Sequence, residues 1–308
     1  MRQPNQRRNG GQRRKSGPDN IQKFTVPQAG PLLEVAGAIL KDHTPTKVKS
    51  MLRHNQLAVN GTPSTQYNRP VQAGDELWVN YDGSFRIFSH PKIKIVYQDD
   101  DIMVVDKGYG MLSTAAGRSK DETVFSVLRN YVKAGDEHAH IYVVHRLDRD
   151  TSGLMILART AKARDKMVNN WNKMVPERKY EAIVEGIVHE DKGHVINYLR
   201  NADNYEVLSS DDPELGGEKA TTHFYTLERG KRNTHMLLWL HVGHKNQLRV
   251  HMKDLGHPIS GDRKYGGHSN AIHRLALHAT HITCVHPVTG ETMHFDSPMP
   301  EAFKKLLL

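Results

Sequence analysis

One cysteine, Cys284, stands in the 308 residues, so the chain can close no internal disulfide and can build no cysteine-based zinc cluster. No apolar run approaches the roughly 18–20 residues that a membrane-spanning helix needs. The arginine-rich N-terminus lacks the apolar stretch of a secretory leader. These three absences together read as a cytoplasmic protein. A Gly-rich dinucleotide fingerprint and a phosphate-binding lysine loop are also missing, which argues against nicotinamide, flavin or nucleotide-triphosphate chemistry. Acidic side chains are in deficit. Only 34 Asp and Glu face 43 Lys and Arg, and the net charge of +9 with a pI near 9.4 points to a polyanionic partner, most simply nucleic acid.

What is present divides into three stretches. Residues 1–24 are poor in apolar side chains and carry Arg2, Arg7, Arg8, Arg13, Arg14 and Lys15 before the first acid, Asp19. Such a segment buries too little surface to offset its conformational entropy, so a disordered arginine-rich tail is expected. Residues 25–82 hold two patches of helical spacing, Leu32 to Leu40 and Val48 to Leu52, then a strand running into Asn60-Gly61 and a closing strand from Leu77. A polar connection leads into a larger domain, 90–308. There an acidic turn, Asp99-Asp100-Asp101, separates two apolar strands, and helical spacing follows over 123–132 and 161–174.

The densest signal is Ile141–Thr160, IYVVHRLDRDTSGLMILART. Two short apolar runs read as buried strands, and a charged loop of His145, Arg146, Asp148, Arg149 and Asp150 lies between them. A polar loop clamped between core strands is a place where chemistry can be held in fixed geometry. The histidines of the C-terminal third offer spacings such as His241-x-x-His244 and His278-x-x-His281, but no cysteine or nearby carboxylate completes a ligand set, so no metal is expected.

The string HRLDRDTSGLMILART closely resembles the signature of the RluA-type RNA pseudouridine synthases. Further matches follow in order: Lys179-Tyr180 with Ala182, Gln247-Leu248-Arg249-Val250-His251, Leu255-Gly256-His257-Pro258 with Gly261-Asp262, and Arg274-Leu275-Ala276-Leu277-His278-Ala279. Residues 25–82, with Lys47, Lys49 and Arg53 between the two helices and then V-N-G and G-D, resemble the alpha-L RNA-binding motif of a small-subunit ribosomal protein family. The chain departs from the synthase pattern at Gly108, where proline is usual, and at His244 and Asn246, where Arg and His are usual.

The resemblance implies an α+β fold, with a mixed, mainly antiparallel sheet in the catalytic domain and a small N-terminal αβ RNA-binding module. It implies isomerisation of specific uridines, with ribosomal RNA as the leading substrate, no cofactor, no membrane and a monomer. The catalytic carboxylate falls on Asp148, Arg249 becomes its cationic partner, and Tyr180 lies against the base. Arg146 is the residue to enter the helical gap when the uridine flips out, with His145 beside it and Lys47, Lys49 and Arg53 as further RNA contacts. The competing reading is a catalytically silent RNA-binding protein of the same fold, against which the joint presence of Asp148, Tyr180 and Arg249 argues.

Overall fold

A computed structural model describes residues 21–81, 83–85, 88–115, 121–202, 206–240, 242–268 and 270–308. The chain divides into two compact units, Met1–Ile87 and Phe88–Leu308. Residues 1–20 of the expected tail lie outside the described residues. The last residues of that tail are ordered as a strand, a correction to its expected extent. Ile21–Thr25 (β1) pairs in full register with the closing strand of the first unit, and Phe24 packs against the core there.

In that first unit Gly30–Pro31 (β2) leads into helix α1 (Leu32–Ile39), and α2 follows at Pro45–Arg53. Thr44 caps α2, its hydroxyl accepting from the Lys47 amide at 3.2 Å, and Pro45 occupies the first helical position where no amide is needed. Strands β3 (Leu57–Val59), β4 (Thr62–Pro63), β5 (Pro70–Val71) and β6 (Glu76–Asn80) complete the unit. The order is β1-β6-β3-β4, with β2 against β5. Asn60 and Gly61 both take positive φ, 49° and 73°, as the tight β3–β4 turn requires. Val48, Met51 and Leu52 face the core, which leaves Lys47, Lys49 and Arg53 exposed on α2.

The second unit is built on one sheet. Its elements are β7 (Ile93–Gln98), β8 (Ile102–Lys107), α3 (Val124–Gly135), β9 (Tyr142–Val143), β10 (Ser152–Ala158), α4 (Ala161–Asn169), α5 (Trp171–Met174) and β11 (Glu177–Glu185). Then come β12 (Lys192–Asn201), β13 (Val207–Ser210), β14 (Glu218–Arg229), β15 (Asn233–Trp239), α6 (Gln247–Asp254), β16 (Leu277–Val285) and β17 (Thr292–Asp296). The strand order is β13-β12-β14-β15-β11-β16-β10-β8-β7, with β17 on β16 and β9 on β10. Among the described strands only β10 and β16 run parallel, over two residue pairs. The chain therefore has the α+β class with a mainly antiparallel sheet.

Every residue of β10 is buried because both faces of the strand are covered. Met155 and Leu157 join the core under Val124 and Leu128 of α3, while Leu154 and Ile156 pack with Met167 of α4 and Met174. Each such side chain contributes about 1.5–3 kcal/mol of burial. Two-sided burial explains why the sequence here is a continuous apolar run without alternation. The flanking strand is shorter than the run Ile141–Val144 suggests, since only Tyr142 and Val143 pair. The helix expected over 161–174 breaks at Asn170, whose backbone leaves the helical region.

Candidate active site

The loop from Val144 to Thr151, between β9 and β10, is fixed from below by alternate residues. His145 turns inward, where its Nε2 accepts the Ile156 amide at 2.9 Å and its ring lies 4.9 Å from that of Trp171. Burial, with Arg178 nearby, pushes the His145 pKa down to about 3, so the ring is a neutral acceptor and a strut of the loop. Leu147 plugs the core, and Ser113 clamps its backbone on both sides: its hydroxyl donates to the Leu147 carbonyl at 2.7 Å and accepts the amide at 3.1 Å. The fully buried Lys107 ammonium donates to the carbonyls of Gly108, Met111 and Arg149 at 2.9–3.1 Å. Gly108 donates its amide to the Lys92 carbonyl at 2.7 Å, a bond that proline could not make; the departure at this position ties the loop down. Gly153 holds φ at 113°, and a Cβ there would run into the Ala279 backbone.

With His145 and Leu147 turned in, Arg146 is exposed and the Asp148 side chain is 29% accessible. Asp148 lines a pocket of about 390 Å³ together with Arg146, Trp171, Arg178, Tyr180 and Arg249. Tyr180 comes from β11, its ring nearly buried, and burial raises the phenol above its ordinary value, with Asp148 adding to the shift and Arg178 opposing it. A phenol of that kind keeps its proton at neutral pH and offers a flat face rather than a base.

Arg249 comes from α6 and reaches two carboxylates. Its Nη1 lies 3.5 Å from Asp148, whereas its Nε and Nη2 make a bidentate pair with Asp262 at 2.7 Å each. The Asp262 side chain is wholly buried. Burial works against the Arg249 charge, but the Asp262 pair, joined by Asp148, more than offsets it and raises the pKa above that of an ordinary guanidinium. Asp148 is therefore the second, longer partner of an arginine whose fork is already spent. The departure at Asn246 supports this arrangement: its Oδ1 accepts from Arg249 Nη1 at 3.1 Å and its Nδ2 donates to the Tyr265 hydroxyl at 2.9 Å.

Two pocket residues, Arg178 and Trp171, escaped the motif reading, and a third, His244, entered it only as a departure and as half of a histidine pair. Arg178 is buried, its guanidinium 5.4 Å from the Trp171 ring, and burial lowers its pKa. Arg178 stands two residues before Tyr180 on β11, so strand alternation puts both on one face, the signal that could have found it. His244 lines the pocket with its buried Nε2 lacking a hydrogen-bond partner among the described residues, while its Nδ1 meets Glu218 at 3.0 Å. Trp171 was hidden in a stretch read as continuous helix. Of the histidine pairs, His241 lies outside the described residues, His278 hydrogen-bonds Ser152 at 2.8 Å, and His281 meets Asp296 at 2.6 Å. Lys47, Lys49 and Arg53 belong to the first unit.

Residues 101–254 match the model of the RNA pseudouridylate synthase family, and the chain belongs to that family of isomerases. It is 32% identical over 303 residues to ribosomal large subunit pseudouridine synthase D of Pasteurella multocida, spanning 92% of this chain and 93% of that protein. It is 31% identical over 282 residues to an uncharacterized RNA pseudouridine synthase, YlyB, of Bacillus subtilis, spanning 86% and 89%. The fold is shared with human RNA pseudouridylate synthase domain containing 4, at a TM-score of 0.56 and 22% identity over 68% of this chain and 90% of that one.

Proposed function

We propose that this enzyme isomerises uridine to pseudouridine in large-subunit ribosomal RNA, acting as a monomer in the cytoplasm, and that Asp148 is its catalytic carboxylate. The observation that carries this reading is the one pocket on which Asp148, Tyr180 and Arg249 converge, with Arg249 held by the buried Asp262. Relatives that match over nine-tenths of the chain and carry a large-subunit name support the choice of RNA.

The reaction breaks the bond from uracil N1 to the anomeric carbon, makes a bond from C5 to that carbon, and moves the C5 proton to solvent and a solvent proton to N1. Atoms and electrons balance without a redox partner. Asp148 supplies the carboxylate that the anomeric centre or its neighbour needs, and the Arg249 cation, anchored on Asp262, holds it in place. Tyr180 gives the freed uracil a flat surface while it turns. Arg146, exposed beside Asp148, fills the helical gap that the flipped uridine leaves; unstacking costs a few kcal/mol, and a planar cation offsets part of it. Lys47, Lys49 and Arg53, exposed on α2, draw the RNA phosphates to the first unit.

Pseudouridine mapping in total RNA from cells with and without the gene tests activity and substrate together: one site in large-subunit RNA should disappear. Asp148→Asn is nearly isosteric and should bind that RNA within a few-fold of wild type while forming no detectable pseudouridine. Turnover by this variant at a tenth of the wild-type rate or better would remove Asp148 from the chemistry.

A further inference from the structure

The wall formed by Asp148, Asn246 and Arg249 has two sides, because the same three residues also line a second, larger cavity of about 670 Å³. Six Lys and Arg side chains border it against three carboxylates, Asp148, Asp150 and Asp262. Two of those carboxylates are already engaged: Asp150 by both ends of the Arg149 fork, at 3.0 and 3.1 Å, and Asp262 by Arg249. The lining is strongly cationic, and one of its cations is held in an unusual way.

Arg274 is half-buried, and every contact that fixes it is neutral. Its Nη2 donates to the Ser152 hydroxyl at 2.6 Å and its Nε to the Leu275 carbonyl at 3.1 Å. Its guanidinium lies 4.4 Å from the Tyr109 ring and 5.0 Å from that of Phe303. Among the described residues no carboxylate comes within 4 Å of it. Burial brings its pKa down to about 10, which leaves it charged at neutral pH. The loop that carries it is rigid. Asn270 donates to the Arg274 carbonyl at 2.8 Å and accepts its amide at 3.3 Å, and that carbonyl packs so closely on Gly261 that a Cβ there would collide with it. Asp150 acts on it only from beyond contact distance, and a desolvated, immobilised guanidinium with no carboxylate in contact is one whose anion arrives with the ligand. Tyr109, also in this cavity, is 46% exposed and offers the kind of aromatic face on which a base stacks.

We propose that this cavity is a second nucleotide subsite, which takes the phosphodiester next to the target uridine on Arg274 and the adjoining base against Tyr109. The inference rests on the reading that the first pocket holds the uridine. It makes the enzyme a reader of the nucleotide beside its target, with Arg274 and Tyr109 setting affinity for that context.

The test uses the full chain and short RNAs spanning the mapped uridine, with one linkage on either side replaced by a neutral methylphosphonate, or with the neighbouring base removed. For wild type, one methylphosphonate should raise KM about tenfold with little change in kcat, as expected for loss of one charge-assisted contact. Arg274→Met should raise KM for unmodified RNA by a similar factor and show no further rise with the methylphosphonate. Arg274→Lys should recover part of the loss. Tyr109→Leu, at an exposed ring, tests the subsite even if Arg274→Met fails to fold: it should raise KM on intact RNA and be silent on the abasic RNA. Equal methylphosphonate penalties in wild type and Arg274→Met, or equal abasic penalties in wild type and Tyr109→Leu, would overturn the subsite. A wild-type protein that forms no pseudouridine in any RNA would instead overturn the proposed function.

Discussion

At the residue scale the decisive feature is which carboxylate Arg249 serves. The motifs suggest Asp148, but the buried bidentate partner is Asp262, and Asp148 stands at 3.5 Å with 29% of its side chain accessible. Removing one side of a buried pair leaves a charge without compensation and typically costs about 3–5 kcal/mol. Arg249→Met should therefore destabilise the fold by roughly that amount, mainly through Asp262. Adding Asp262→Asn removes the stranded charge and should recover at least half of the loss, whereas adding Asp148→Asn should recover little. Urea denaturation of the three single and two double variants measures both couplings. A larger rescue by Asp148→Asn than by Asp262→Asn would reverse the assignment. Asp262 was present in the sequence as the acid of the G-D match, but its link to an arginine 13 residues earlier is a property of the folded turn after α6 and left no pattern to read.

At the scale of elements, the site is a loop tensioned between β9 and β10, and His145 is one of its anchors. A histidine at the head of this motif reads as an RNA contact; in the fold its Nε2 accepts the Ile156 amide while the residue still borders the pocket beside Asp148. Its folded pKa of about 3 lies below the ordinary value of 6.5, so between these two pH values the unfolded chain binds a proton that the native chain refuses. Stability then rises with pH across this window and is lost as pH falls through it, by at most about 1.4 kcal/mol per pH unit. His145→Gln keeps an acceptor oxygen without the titration, so its unfolding free energy should fall less steeply from pH 6.5 to 4 than that of wild type. Parallel slopes for the two proteins would show that His145 does not titrate on unfolding. The strands were legible because burial writes itself into sequence: β10 is covered on both faces and reads as an unbroken apolar run, and β11 shows the alternation that sets Tyr180 and Arg178 together. Pairing was less legible. Only two residues of Ile141–Val144 join the sheet, because strand length depends on a neighbour's register, and the break at Asn170 is a matter of backbone angles.

At the scale of the whole molecule, the net charge of +9 belongs to two units with separate cores, and the described residues that line the pocket beside Asp148 all belong to the second. The proposal that the first unit captures RNA is tested on its exposed cations. On α2 the buried face is Val48, Met51 and Leu52, so Lys49 and Arg53, four residues apart, form one line of exposed cations, with Lys47 round the helix from them. Alanine at all three positions keeps helix propensity and leaves the core untouched, so folding should be preserved. If each cation neutralises one phosphate of single-stranded RNA, the slope of log K against log salt should become shallower by about 2, at roughly 0.7 per contact. Affinity should fall most at low salt, and turnover at saturating RNA should stay near wild type, because Lys107, Ser113 and His145, which hold the Asp148 loop, all belong to the second unit. Binding isotherms at several salt concentrations, together with single-turnover rates, separate the two effects. An unchanged salt slope would mean that α2 does not meet phosphates, and a loss of saturated rate with an unchanged slope would tie the first unit to the chemistry instead of to capture.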